Sequence, residues 1–168
     1  MQGLAHRIGK RGPFASPEQE TYLNLVLTRE VLGEAWQRLF KTAGLSESTY
    51  NILRILRGCY PEPLPVLEIR RRMVNRVPDV TRLLDRLEQR KLVRRERCAS
   101  DRRVVFCHVT EKGLKAIAGL DAPTLELHAK QLGHLTPDEL RQLSDLLEKA
   151  RMPWDSGSVS AGGDAGAP

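Results

Sequence analysis

VPDVTRLLDRLEQRKLVRRERCASDRRVVFCHVT, residues 77–110, is the stretch whose reading decides the fold. Pro78 pre-sets the backbone for a first helical turn, and Asp79 places a carboxylate where the dipole of a helix start favours one. A helix is expected to begin here. Val80, Leu83, Leu84 and Leu87 recur at the i, i+3, i+4, i+7 spacing of a helix with one buried side, while Thr81, Arg82, Asp85 and Arg86 occupy the other. One face packs, and the other offers guanidinium groups.

Beyond Leu92 the period changes. Arg94, Arg95 and Arg97 form a basic run, Cys98 to Asp101 a polar turn, and after Arg102 and Arg103 the residues from Val104 to Val109 alternate as a strand does. That pattern reads as a two-stranded hairpin with a basic tip. A helix with an exposed Arg/Thr face followed at once by such a hairpin is the arrangement of a winged helix-turn-helix. The helix would enter the major groove, and the hairpin would reach the backbone or the minor groove.

The stretch resembles the MarR-type transcriptional regulators. Their recognition helix has the form (S/P)-x-V-T-R-L-(L/V)-D-R-L-E-x-R-G-L-V and their wing the form D-x-R-x-x-x-x-x-(V/L)-T. Here the helix stands as Pro78-Asp79-Val80-Thr81-Arg82-Leu83-Leu84-Asp85-Arg86-Leu87-Glu88, and the wing runs from Asp101-Arg102-Arg103 to Val109-Thr110. The likeness covers residues 16–151 in pattern and is specific over 64–113. Where the family's pattern ends the helix with glycine, this chain has Lys91. The resemblance implies a homodimer joined through its N- and C-terminal helices. It also implies a repressor released when a small aromatic or phenolic effector binds between those helices and the reading heads.

Charge and composition agree with this class. The net charge of +6 is concentrated on the reading head: residues 66–110 hold thirteen Lys/Arg against six Asp/Glu. Such a patch is the electrostatic footprint of a protein that binds double-stranded DNA. The 168 residues suffice for one domain with a core, or for a domain plus a dimerisation arm. There is no apolar run of bilayer length and no signal-peptide pattern, so a soluble intracellular protein and no membrane are expected, and the resemblance implies the cytoplasm of a bacterium. Cys59, Cys98 and Cys107 are odd in number and lack ligand spacing, so neither a disulfide framework nor a metal or other cofactor is implied.

The rest of the chain supplies helices. Residues 1–15 mix glycines and Pro13 with Arg7, Lys10 and Arg11, and read as a flexible basic arm. Ser16-Pro17-Glu18-Gln19 is a capping box that starts a helix reaching about Thr42, with Gly44 ending it. Ser46 caps a second helix to about Arg57. Three prolines between Pro61 and Pro65 forbid helix and leave room for a short strand. A third helix from Val66 to about Val74 completes the helix-turn-helix. After the wing a helix opens at Thr110-Glu111, with a break or kink expected at Asp121-Ala122-Pro123. Thr136-Pro137-Asp138-Glu139 starts a last helix.

The fold class is thus mainly α with a small β-hairpin wing, an α+β winged helix-turn-helix. A domain over 16–152 contains the DNA-binding core at 45–110, the dimerisation helices are 16–44 and 111–152, and 153–168 form a disordered tail. The core is complete without the terminal helices. Their apolar faces either cover its back or pair with a second chain, and the resemblance implies the second. Two reading helices would then match the half-sites of a pseudo-palindromic operator.

Candidate DNA-contacting residues are Asp79, Thr81, Arg82, Arg86, Arg102 and Arg103. Arg82 is placed to bond a guanine edge or else a phosphate. Asp79 serves the helix dipole or reads a cytosine. Arg86 faces phosphate, and Arg103 or Arg102 reaches the minor groove, since a one-residue slip in the hairpin exchanges them. Asp85 and Asp101 are expected to orient the wing, the first by pairing with an arginine and the second by holding the turn. Cys98 lies among arginines that would lower a thiol pKa, which makes it a candidate redox trigger. No paired carboxylates, phosphate-cradling glycine loop or nucleophile elbow supports an enzyme. A winged-helix module that binds protein instead of DNA, and a redox sensor of the same fold, are the alternatives.

Overall fold

The computed structural model describes residues 3–75 and 77–155. The described residues divide into two compact units, one ending at Leu127 and the other starting at His128. The segment read as an arm carries a short helix, α1 (Leu4–Arg7), with Leu4 buried. Helix α2 (Pro17–Thr42) opens on Ser16, whose Oγ accepts from Gln19 N at 3.3 Å, while Ala15 N donates to Gln19 Oε1 at 2.9 Å. Gly44, at φ 66°, turns the chain out of it. Helix α3 (Glu47–Cys59) starts in a reciprocal capping box between Ser46 and Thr49 and buries Ile52, Leu53 and Leu56.

A two-residue strand β1 (Leu64–Pro65) leads into α4 (Val66–Arg72), followed by α5 (Val80–Gln89), β2 (Val93–Arg97) and β3 (Val105–Val109). The antiparallel sheet has the order β1-β3-β2, with Leu64 and Arg95 both opposite Cys107. Ile52, Leu53, Leu56, Ile69, Leu84 and Leu87 close the core between the helices and the sheet. The arrangement is the expected winged helix-turn-helix.

Two boundaries around the helix-turn-helix differ from the sequence reading, each where a side chain takes a backbone N–H. Helix α5 begins at Val80 and not at Pro78, because Asp79 is its N-cap: the carboxylate accepts from Arg82 N at 2.9 Å and the backbone of Asp79 is not helical. Helix α4 stops at Arg72, short of Val74. Met73 is extended, and Val74 N donates to Asn51 Oδ1 at 3.1 Å instead of to a helical carbonyl.

Helix α6 (Glu111–Leu132) corrects a third expectation, because it passes through Pro123 unbroken. The proline removes one ladder donor, but Leu120 and Thr124 on either side are buried, and Thr124 Oγ1 donates to Asp121 O at 2.9 Å. Asp121 also ties this helix to α3: its carboxylate takes both Arg57 terminal nitrogens at 2.8 Å and Arg54 Nη1 at 3.3 Å. Arg57 accordingly holds the Asp121 carboxyl below its ordinary pKa.

Helix α7 (Pro137–Asp155) starts in a second capping box, Thr136 with Glu139. It continues past Pro153, where the sequence reading placed a tail; Arg151 and Asp155 pair at 3.7 Å across that turn. Residues 156–168 of the expected tail lie outside the described residues. No helix among the described residues is long and apolar enough to cross a membrane.

Candidate nucleic-acid interface

Burying Val80, Leu84 and Leu87 fixes the rotation of α5 about its axis, and Thr81, Arg82 and Arg86 are left exposed on its opposite side. Arg82 is held lightly, with Nε 3.3 Å from Asp79 Oδ2 and four-fifths of its side chain in solvent. Asp79 therefore serves the helix start twice, through the cap and through this ion pair.

The wing is built on its own turn bonds. Cys98 N donates to Val104 O at 2.9 Å, Val104 N to Asp101 O at 3.0 Å, and Arg103 N to Asp101 Oδ1 at 3.0 Å. Asp101 thus folds the tip with its backbone and its carboxylate together, as Asp does in Asx turns. Arg102 and Arg103 project from that tip. Among the described residues, neither they nor Arg86 has a carboxylate within ion-pair distance.

Reading helix and wing are clamped by a carboxylate pair. Glu88 takes Arg95 N at 3.0 Å and Arg95 Nε at 2.9 Å, and Asp85 Oδ1 lies 2.7 Å from Arg95 Nη2. These charge-assisted bonds hold the Glu88 carboxyl below its usual pKa and push Arg95 up. Asp85 thus meets Arg95 and none of the arginines proposed for DNA. The run Arg94, Arg95, Arg97 splits by strand alternation: Arg95 turns towards α5, whereas Arg94 pairs with Glu96 at 2.7 Å.

Cys98 is half-buried, and its Sγ lies 3.1 Å from Ser100 Oγ. Its thiol pKa is lowered, by the Ser100 hydroxyl first and then by backbone N–H groups of Asp101 and Ser100, while the Asp101 carboxylate acts the other way. The surrounding arginines, the expected cause, are not the cause. Cys107 is buried, and burial pushes its thiol up to about 11. Among the described residues no group of three or more His, Cys, Asp or Glu side chains could hold a metal ion.

The family model for MarR matches residues 45–105, the head just described. A MarR transcription factor from Planctomyces limnophilus is 42% identical, with a TM-score of 0.64, over 81% of this chain and 98% of that one. The chain belongs to the MarR family. Two more distant structures share the fold: a MarR family transcriptional regulator from Streptomyces coelicolor in complex with DNA (21% identity, TM-score 0.75, 84% and 94% of the two chains), and Bordetella bronchiseptica BpsR (19%, 0.69, 78% and 98%).

This MarR protein is accordingly a DNA-binding transcriptional regulator and not an enzyme. Its departure from the family's glycine has a geometric answer, since Lys91 itself adopts φ 60° at the end of α5. Thr110 Oγ1 donates to Lys91 O at 2.8 Å and helps to fix that turn. Sequence reasoning missed the clamp of Glu88 on Arg95 between α5 and β2, and Asn51, which takes Val74 N where α4 ends. A signal existed for one pair only. Asp85 and Glu88, three apart on α5, present two carboxylates on neighbouring positions that a cation on the following strand can satisfy.

Proposed function

We propose that this MarR protein is a homodimeric repressor that reads a pseudo-palindromic operator with α5 and is released by a small aromatic or phenolic ligand. The observation that carries the reading is the clamp of Asp85 and Glu88 on Arg95, which ties the helix exposing Thr81, Arg82 and Arg86 to the wing, whose exposed Arg102 and Arg103 have no carboxylate partner among the described residues. Thr81 and Arg82 contact base edges in the major groove, Arg86 takes a phosphate, and Arg103 or Arg102 follows the minor groove. Asp79, as cap, sets the start of the helix without reading a base.

Dimerisation is supported by apolar side chains left in solvent on α2 (Tyr22, Leu25, Val26, Val31) and on α7 (Leu143, Leu146, Met152, Trp154). The effector class rests on relatives: regulation of DNA binding of BpsR by 6-hydroxynicotinic acid, and an organohalide-sensing regulator in a 2,4-dichlorophenol-bound form. A ligand acts if it binds more tightly to a head spacing that does not match the operator. A cytoplasmic setting follows from the role.

Fluorescence anisotropy tests the reading with DNA from immediately upstream of the protein's own reading frame, scrambled competitor and two salt concentrations. Specific binding that Arg82→Ala weakens by about tenfold or more is expected, the value of one lost bidentate base contact. Binding equal for scrambled DNA and erased by salt would leave only phosphate attraction. Arg82→Ala and Arg103→Ala without effect would favour the protein-binding module.

A further inference from the structure

The end of the reading helix is bonded to two other helices through one residue. Arg90 follows α5 directly, and its Nη1 donates to Gly44 O at 2.5 Å and its Nη2 to Ala43 O at 3.0 Å. Those carbonyls close α2, where the last C=O groups lack helical partners and the dipole favours a cation. Gly44 leaves the room required, since a Cβ there would stand 3.1 Å from Arg90 Nη2. The carbonyl of Arg90 in turn accepts from Lys112 Nζ at 2.9 Å, in the first turn of α6. Thr110, just before α6, bonds the carbonyls of Lys91 and Leu92.

We infer that Arg90 is a positioning residue: it locks α5 to the end of α2 and the start of α6, and sequence-specific DNA binding depends on that lock although Arg90 does not contact DNA. Its guanidinium is occupied by protein carbonyls, so it differs in kind from Arg86, Arg102 and Arg103. The dependence on specific DNA rests on the function proposed above, whereas the lock itself does not.

The test uses the full chain, with Arg90→Ala and Arg90→Lys beside wild type, and Arg90→Gln in place of the alanine variant should that one not fold. Amide hydrogen exchange without DNA should speed up at residues 40–46 and 86–93 in Arg90→Ala and stay closer to wild type in Arg90→Lys, whose ammonium still reaches the carbonyls. Exchange unchanged in both segments would overturn the lock. DNA selected from a random pool by wild type is then titrated. Arg90→Ala should lose about tenfold on the selected DNA while scrambled DNA binds as before with the same salt dependence. Equal loss on both, with the salt slope reduced by about one, would make Arg90 a phosphate contact and overturn the inference. If wild type selects no sequence, the proposed function fails, and hydrogen exchange alone decides the lock.

Discussion

Glu88 receives the backbone N–H of Arg95 and its guanidinium at once, at 3.0 Å and 2.9 Å, so the first strand of the wing is fastened to the last turn of the reading helix. Because the folded-state pKa of Glu88 is depressed, its contribution is complete above the unfolded value of about 4.3 and is lost as pH falls through the folded value. Arg95 stays charged throughout. Glu88→Gln keeps an acceptor for Arg95 N but not the charge, and should lower stability near neutral pH by about 1 kcal/mol or less, since both side chains are partly solvated. Urea unfolding of both proteins between pH 3 and 7 should show the gap closing in acid; a gap independent of pH would refute the assignment.

Gly113 predicts the largest loss from the smallest change. A Cβ at this position, in the first turn of α6, would stand 2.2 Å from Leu92 O and 2.8 Å from Val109 Cγ2. The nearest obstacle is backbone, which cannot rotate away. Gly113→Ala should therefore destabilise by about 1–3 kcal/mol or more, read as a lowered urea midpoint. Gly119→Ala is the control: a Cβ there has nothing within 4 Å, and the substitution should be neutral or stabilising.

These two contacts also mark what the sequence could not disclose. Periodicity placed the buried side of α5, because Val80, Leu84 and Leu87 obey a spacing any helix imposes, and the alternation from Val104 onward located the second wing strand. Distances between segments have no such signature. Nothing local says that Gly113 abuts Leu92, or that Arg90 crosses to Ala43 and Gly44, forty-six and more residues away. Pro78 and Pro123 misled for a related reason. Proline states what its own backbone disfavours, but the Asp79 carboxylate decided where α5 starts, and the buried Leu120 and Thr124 carried α6 past Pro123.

Alkylation should separate the cysteines. The Ser100 hydroxyl and two backbone N–H groups favour the Cys98 thiolate, whereas burial pushes Cys107 up to about 11. With iodoacetamide at pH 7–8 and peptide mass spectrometry, Cys98 should react well ahead of Cys107, and Ser100→Ala should slow Cys98. Cys107 modified as fast as Cys98 in the native protein would contradict the packing of β3.

Asp79 has two roles that substitution can divide. Asp79→Ala removes the cap of α5 and should lower stability by about 1 kcal/mol, whereas Asp79→Asn keeps an acceptor for Arg82 N and should stay near wild type. Both variants release Arg82 from its ion pair and remove a negative charge from the helix proposed to face DNA, so neither should weaken binding to scrambled DNA. Asp79→Asn should also retain preference for the wild-type operator. An Asp79→Asn protein that folds normally and binds scrambled DNA as before, yet loses about tenfold on its preferred DNA, would show instead that this carboxylate accepts a bond from a cytosine.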